Sequence, residues 1–293
     1  MEAGKKPDIG FIGAGTVGTA LAVRLGGSGY RVVAVSSRTR ASAQRLAQSV
    51  SDCRVYEDGQ GAADASQLVF VTTPDDAIGQ VVAGIRWHSG QGVVHCNGAA
   101  STDIIEPARR FGAHVGAFHP LQTFASVSHA IDNIPGSTFA IEAEEPLLTI
   151  LKGMASDLEG NWVILGAGDK VLYHAAAVIA CNYLYTLVKM ATDLWQNFGV
   201  PAPQATQALL PLLRGTLNNV ENVGLPHCLT GPIARGDLGT IRSHLAALER
   251  EAPWLLSTYR ELGLQTIPIA SAKGRIDNDR AKELEALLKE DML

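Results

Sequence analysis

The chain has 293 residues and a formal net charge of −5, with 46% hydrophobic and 18% charged residues. This is the composition of a folded globular protein with room for about two domains, and it excludes a disordered chain. The net negative charge argues against a nucleic-acid-binding protein, which would concentrate basic residues on one face.

Four cysteines are far apart and form no C-x-x-C pair: Cys53, Cys96, Cys181 and Cys228. This pattern indicates reduced thiols in a cytoplasmic protein and no metal site. The first residues do not have the apolar region of a signal peptide. The most apolar long stretch, residues 171–190, is interrupted by polar side chains, and it predicts a buried helix instead of a membrane span.

Residues 8–22, DIGFIGAGTVGTALA, carry the first motif. A short apolar run predicts a strand, G-A-G-T-V-G follows without a gap, and apolar residues at helical spacing come next. A dinucleotide-binding G-x-G-x-x-G requires this order of strand, glycine turn and helix. The glycines allow a tight turn, close approach of a pyrophosphate and close helix packing, and the helix N-terminus favours phosphate. The predicted cofactor contacts are Gly13, Gly15, Thr16, Val17 and Gly18.

The second predicted strand, residues 31–36, indicates which dinucleotide binds. In an NAD enzyme an acidic residue at the end of this strand holds the ribose 2′-hydroxyl. Here the chain reads SSRTR at 36–40, with two arginines and no acid. Because arginine matches phosphate with bidentate bonds, we predict NADP(H), with Ser37, Arg38 and Arg40 at the 2′-phosphate. The alternative is that both arginines are solvated residues at the start of the next helix.

Strands continue to alternate with helices to residue 165, at 54–56, 67–72, 92–96, 113–118, 137–142 and 161–165. This alternation predicts an α/β domain, residues 1–165, with a doubly wound parallel sheet whose ligands bind at the carboxyl ends of the strands. The residues expected there are Thr72, Thr73, Pro74, Asn97, Gly98 and His119. The proline after His119 holds it extended, so a group that titrates near neutral pH would lie at the cleft. The alternative is a turn histidine bonded to backbone.

From residue 166 to 293 the pattern predicts an all-α domain. Its first helix runs to about residue 198 and is apolar on most sides, which predicts a buried central helix. Lys170, His174 and Asn182 follow one another on this helix at multiples of four residues. They either bond to other helices or face the nicotinamide and substrate.

A second motif in this domain is LTGPIARGD at 229–237, a turn that carries Thr230 and Arg235. Arg235 either bonds to other groups of the protein and stabilises the turn, or binds a substrate carboxylate. Asp237 is expected to cap the next helix. Residues 277–293 predict an amphipathic helix that docks through its leucines.

The glycine turn, GAFHPLQTF at 116–124, KVLYHAAAVIACNY at 170–183 and LTGPIARGD together resemble a family of provisionally named NADP oxidoreductases. The resemblance implies a Rossmann-like domain and a helical domain of unknown function, of the type at the C-terminus of 6-phosphogluconate dehydrogenase. More distantly the chain is similar to deazaflavin-dependent NADP oxidoreductases and to pyrroline-5-carboxylate, ketopantoate and prephenate enzymes. The His-Pro at 119 resembles that of prephenate dehydrogenases, whose histidine handles the substrate hydroxyl. The lysine of the hydroxyacid dehydrogenases falls on Leu172, so Lys170 is only a displaced substitute.

Two functions follow as hypotheses. The first is an NADPH-dependent reductase of a small carbonyl or imine compound, for which a 2-keto acid such as ketopantoate is a guess. His119 or His174 would be its general acid, Asn182 and Lys170 would face the substrate, and Thr230 and Arg235 would bind it. The second is an NADP(H)-binding sensor without catalysis. A homodimer through the helical domain is expected, with no nucleic-acid or membrane partner.

Overall fold

The computed structural model describes residues 5–289. One eight-stranded sheet forms the centre of the first part of the chain, in the order β3-β2-β1-β4-β5-β6-β7-β8. Its strands are β1 Ile9–Ile12, β2 Val32–Ser36, β3 Arg54–Val55, β4 Leu68–Val71, β5 Gly92–His95, β6 His114–Leu121, β7 Thr138–Ala143 and β8 Asn161–Ile164. All neighbours are parallel except β6 and β7, which pair antiparallel. The α/β prediction is confirmed.

Helices cover both faces of the central part of this sheet, where β1 and β4 are fully buried and read as continuous apolar runs. The edge strand β8 is exposed along its whole length. The aromatic rings of Phe11, Phe70, Phe118 and Phe139 pack in sequence on one face, with neighbouring ring centres 4.4–6.1 Å apart. The helices are α1 Thr16–Gly27, α2 Arg40–Gln48, α3 Gly59–Asp64, α4 Ile78–Ala83, α5 Glu106–Arg109, α6 Val127–Asn133 and α7 Leu147–Asp157.

The remainder is helical, as predicted. It comprises α8 Lys170–Ala177, a π-helical segment Val178–Asn182, α9 Tyr183–Gln196, α10 Ala202–Val223, α11 Leu238–Glu251, α12 Pro253–Ala272 and α13 Asn278–Lys289. Asp237 caps α11 by accepting from the N–H of Thr240. Leu284 and Leu288 of α13 are fully buried, and residues 290–293 of the predicted last helix lie outside the described residues.

By its internal contacts the chain divides into two compact units, residues 1–181 and 182–293. The division falls within the π-helical segment and not after residue 165. It does so because α8 bonds to the sheet domain: the Lys170 ammonium donates to the carbonyl of Asn97, and the Tyr173 hydroxyl bonds to His119.

The prediction that the long first helix is buried is wrong. Along residues 167–196 the most apolar window has no buried residues, and Val171, Leu172 and Ile179 are 66%, 77% and 64% exposed. A helix that is apolar on most sides needs cover on most sides, and its contacts within the described chain do not provide it. By length and composition alone this helix could also cross a membrane.

Candidate active site

A cavity of about 840 Å³ opens at the carboxyl ends of β1, β2 and β4. This is the edge at which parallel sheets of this kind bind ligands. Of the residues predicted to contact the cofactor, the cavity is lined by Gly13, Gly15, Thr16, Val17, Ser37, Arg38, Thr72, Thr73 and Pro74. Nine of the thirteen residues predicted to contact the cofactor therefore line one continuous groove.

The three glycines of the turn differ in the space around them. Gly13 has φ +109°, and a Cβ there would lie 2.5 Å from the carbonyl carbon of Thr72. A Cβ on Gly18 would lie 2.4 Å from the Thr72 hydroxyl oxygen, whereas one on Gly15 would meet no atom within 4 Å. Gly13 and Gly18 thus serve the turn and the packing, and Gly15 leaves open space beside the groove. A pyrophosphate at the N-terminus of α1 fits this arrangement.

The two arginines after β2 are placed differently. Arg38 lines the groove, whereas Arg40 is the first residue of α2, does not line it, and lies 3.6 Å from Glu57 in an exposed ion pair. The groove also holds the Thr73 hydroxyl, which is buried and bonds to no described residue. A buried donor without a partner is costly unless a ligand satisfies it, so the residues present fit a dinucleotide.

Beyond the end of β5 the chain forms a tight turn at Asn97 and Gly98. The Asn97 side-chain oxygen accepts from the N–H groups of Ala99 and Ala100, at 2.8 and 2.6 Å. The ammonium of Lys170, which is buried, donates to the Asn97 carbonyl at 2.9 Å. The turn is therefore fixed by its own side chain and by a cation from α8.

The sequence predicted that His119 follows the end of its strand. The residue instead lies within β6, opposite Ala140 of β7. The antiparallel pairing with β7 extends β6 beyond Ala117, where its pairing with β5 ends. His119 still reaches the sheet edge beside the Asn97 turn. A Cβ on Gly98 would lie 2.8 Å from its Nε2 and 2.5 Å from Cδ2 of His174.

His119 Nδ1 lies 2.8 Å from the hydroxyl of Tyr173, and the two rings meet edge to face. Burial, followed by the charges of Lys170 and His174, lowers the pKa of His119 to about 4. Burial raises the pKa of the Tyr173 hydroxyl to about 12. The expectation of a histidine that titrates near neutral pH is therefore wrong for His119. At pH 7 its imidazole is neutral and Tyr173 is protonated.

Lys170 is surrounded by groups that affect its charge. Burial lowers its pKa, while the carboxylate of Glu142 and the thiol of Cys96 act in the opposite direction. One carboxylate oxygen of Glu142 accepts from the N–H and the hydroxyl of Thr102, and the other is buried without a partner among the described residues. The charge of the buried cation is thus partly balanced by the carboxylate of Glu142.

Two residues that belong to this cluster were missed. Tyr173 lies three residues after Lys170, and with His174 it shares the Lys170 face of α8. The sequence analysis considered only side chains four residues apart on this helix, so it overlooked Tyr173, which is three residues from Lys170. The second residue is His95, the last residue of β5. It is fully buried, accepts from the N–H of Asn97 at Nδ1 and lies 3.2 Å from the Ser101 carbonyl at Nε2.

Residues 3–120 match the model of a Rossmann-like domain, and residues 137–266 match that of a domain of unknown function, DUF2520. The chain is a Rossmann-like domain followed by a DUF2520 domain. This confirms the pair of domains that the four motifs indicated. No curated protein sequence matches the chain.

Several solved structures resemble the whole chain. A provisionally named NADP oxidoreductase from Bacteroides fragilis is 29% identical, with a TM-score of 0.72 over 90% of this chain and 98% of that one. A reductive aminase from Aspergillus terreus in complex with NADPH and ethyl levulinate is 19% identical (TM-score 0.65; 98% and 100% covered). A Plasmodium falciparum pyrroline carboxylate reductase with NADP bound is 13% identical (TM-score 0.61; 96% and 98% covered). The last two likenesses establish the fold alone.

The remaining predicted residues lie in the second compact unit. Asn182 is exposed at the end of the π-helical segment. Because a π turn holds more residues than an α turn, the predicted row of side chains does not continue regularly from His174 to Asn182. Thr230 and Arg235 line a separate cavity of about 400 Å³. Among the residues that the structure describes, no group of three or more His, Cys, Asp or Glu side chains could hold a metal ion.

Proposed function

We propose that this protein is an NADP(H)-dependent oxidoreductase that reduces a small carbonyl or imine compound. The observation that carries the proposal is the groove beside the glycine turn, which ends at Arg38 and lies at the same sheet edge as the Asn97 turn and His119. The likeness of the fold to reductases that contain NADP or NADPH supports the same assignment.

In this proposal the first turn of α1 binds the pyrophosphate, and Ser37 and Arg38 bind the 2′-phosphate. Arg38 suits this role because a guanidinium forms paired, charge-assisted bonds with phosphate oxygens. Arg40 would join it only by leaving Glu57, which costs little because the pair is exposed. When bound, NADPH supplies a hydride to the substrate carbon. The groove would orient the cofactor, and Asn97 and Gly98 would hold its nicotinamide end.

His119 and Tyr173 handle the proton. We place the Tyr173 proton in the bond to Nδ1, which leaves the imidazole proton on Nε2. Nε2–H donates to the substrate oxygen or nitrogen and passes its proton there as negative charge develops, while Nδ1 takes the proton of Tyr173. The tyrosinate then takes up a proton from solvent, which restores both side chains. His174 packs against Gly98 and closes the same space. Lys170 holds the Asn97 carbonyl in place and so positions the turn.

The change Arg38→Gln tests the cofactor assignment. We expect it to weaken NADPH binding by about tenfold while NADH binding stays near its wild-type value, because only NADPH carries the 2′-phosphate. Nicotinamide fluorescence measures both affinities. Arg45→Gln, an exposed cation later in α2, is the matched control, and Arg40→Gln shows whether the second arginine takes part. Equal weakening of both nucleotides by Arg38→Gln would contradict the assignment.

Catalysis is tested by following consumption of NADPH with a panel of 2-keto acids, ketone–amine mixtures and cyclic imines. Turnover of any of them supports a reductase. Tight NADPH binding without consumption on the whole panel would favour the alternative, a protein that senses NADP(H).

We also propose that the protein is a homodimer in which a second copy covers the exposed apolar side chains of the helix at residues 167–196. Soluble monomers do not usually expose so large an apolar surface. Leu172→Glu is expected to convert the dimer to a monomer in sedimentation analysis. Phe111→Glu, at an exposed apolar residue of the sheet domain, should leave it a dimer. A wild-type monomer that binds phosphatidylcholine vesicles would instead indicate a membrane contact.

A further inference from the structure

The second compact unit contains a cavity of about 400 Å³ that the proposed reaction does not account for. Its lining has three cationic side chains and no acidic one among the described residues: Leu229, Thr230, Gly231, Ala234, Arg235, Lys273 and Arg275. Two separate segments of the chain supply these cations, the turn before α11 and the end of α12.

The walls of this cavity are held by the protein itself. The Lys273 ammonium donates to the carbonyl of Leu229 at 2.7 Å, which ties the end of α12 to the turn. The N–H of Asp237 donates to the carbonyl of Pro232 at 2.9 Å and closes the turn. No ligand is needed to form the cavity, so a ligand that binds there does not have to order it first.

The chain neutralises the cations of the cavity only in part. Arg275 is exposed and has no hydrogen bond or ion pair with any described residue. Arg235 is 3.9 Å from Asp237, but that carboxylate already accepts from the N–H and the hydroxyl of Thr240 as the cap of α11. Lys273 bonds only to a carbonyl, so its charge is also unpaired.

A structural explanation covers only part of this cluster. Cations at the C-terminus of a helix stabilise its dipole, and α12 ends at Ala272, just before Lys273 and Arg275. Arg235 is on another segment and gains nothing from that helix end. Three like charges around one cavity repel one another unless an anion is bound between them.

We infer that this cavity binds a small oxyanion with at least two negative charges. The guanidinium groups of Arg235 and Arg275 match carboxylate or phosphate oxygens, and the hydroxyl of Thr230 is a further donor. Dicarboxylates and phosphates share this chemistry. The inference goes beyond the proposed function, because neither the cavity nor its test involves NADP(H).

Calorimetric titration of the full-length protein with succinate and with pyrophosphate, in the absence of nucleotide, tests the inference. We expect saturable binding of at least one anion, with a dissociation constant that rises about tenfold in Arg275→Gln and in Arg235→Gln. Arg250→Gln, an exposed cation at the end of α11 that pairs with Glu251, should leave it unchanged. Melting temperatures of all variants show whether they remain folded.

Pyrophosphate could also enter the groove beside Arg38, so Arg38→Gln is titrated in parallel. If Arg38→Gln weakens pyrophosphate binding and Arg275→Gln does not, the anion binds in that groove, and this result would overturn the inference. So would the absence of saturable binding for both anions. NADPH affinity is measured separately on the wild type, so a failure of the cofactor proposal and a failure of this one give different results.

Discussion

Replacing His119 with asparagine is expected to lower kcat by about a hundredfold to ten-thousandfold and to leave NADPH affinity near the wild-type value. The imidazole supplies the proton at Nε2, and asparagine cannot pass one on between Tyr173 and the substrate. None of the groove residues changes, so the cofactor should bind as before. Steady-state kinetics with a substrate identified by the panel, together with NADPH fluorescence titration, measure the two effects.

Three comparisons test this prediction. Tyr173→Phe keeps the ring against His119 but removes the bond to Nδ1, and we expect kcat to fall by about tenfold. His129→Asn, at an exposed histidine, should have no effect. Because the pKa of His119 is about 4, the wild-type kcat should not show a histidine titration near pH 6.5. Equal losses of kcat and NADPH affinity in His119→Asn would assign the residue a structural role.

The groove beside the glycine turn could be predicted from the sequence because its determinants are local in sequence. Strand, glycine turn and helix occupy fifteen consecutive residues, 8–22, and Gly13 and Gly18 pack against Thr72, the residue after β4. The split between Arg38 and Arg40 was not predictable in this way. It depends on where α2 begins and on Glu57, which comes from the segment after β3.

The cluster of His119, Tyr173 and His174 was only half predictable, because it joins residues more than fifty positions apart. The sequence indicated His119 and His174 as separate candidates. The two histidines meet at Gly98, and His119 bonds to Tyr173, because of the way β6 and α8 pack against each other. The low pKa of His119 is likewise a property of burial and of Lys170, and neither can be inferred from the His-Pro dipeptide.

The exposure of Leu172 shows a different limit of sequence interpretation. Apolar residues on most sides of a helix indicate that the helix is covered, but they do not indicate what covers it. The same pattern fits a core helix, a dimer helix and a membrane span. Within the described chain the cover is missing, which excludes the core helix and leaves the other two.

Lowering the pH from 7 to 5 is expected to reduce the free energy of unfolding by about 2 kcal/mol through His95 alone. Burial, followed by the charge of Lys170, lowers the pKa of His95 to about 3, against an ordinary value of 6.5. Below pH 6.5, His95 therefore binds a proton in the unfolded chain but not in the folded chain. The stabilisation by neutral His95 is fully present above pH 6.5 and is lost as the pH falls toward 3.

The geometry explains why the folded protein cannot accept this proton. Nδ1 of His95 accepts from the N–H of Asn97, so a proton there would oppose a donor inside a buried site that also contains Lys170. Urea unfolding of the wild type and of His95→Asn at pH 7, 6 and 5 measures the effect. The variant should lose less stability than the wild type over this range, whatever its stability at pH 7, and His129→Asn should follow the wild type. Parallel pH dependence of the wild type and His95→Asn would show that His95 is not the group responsible.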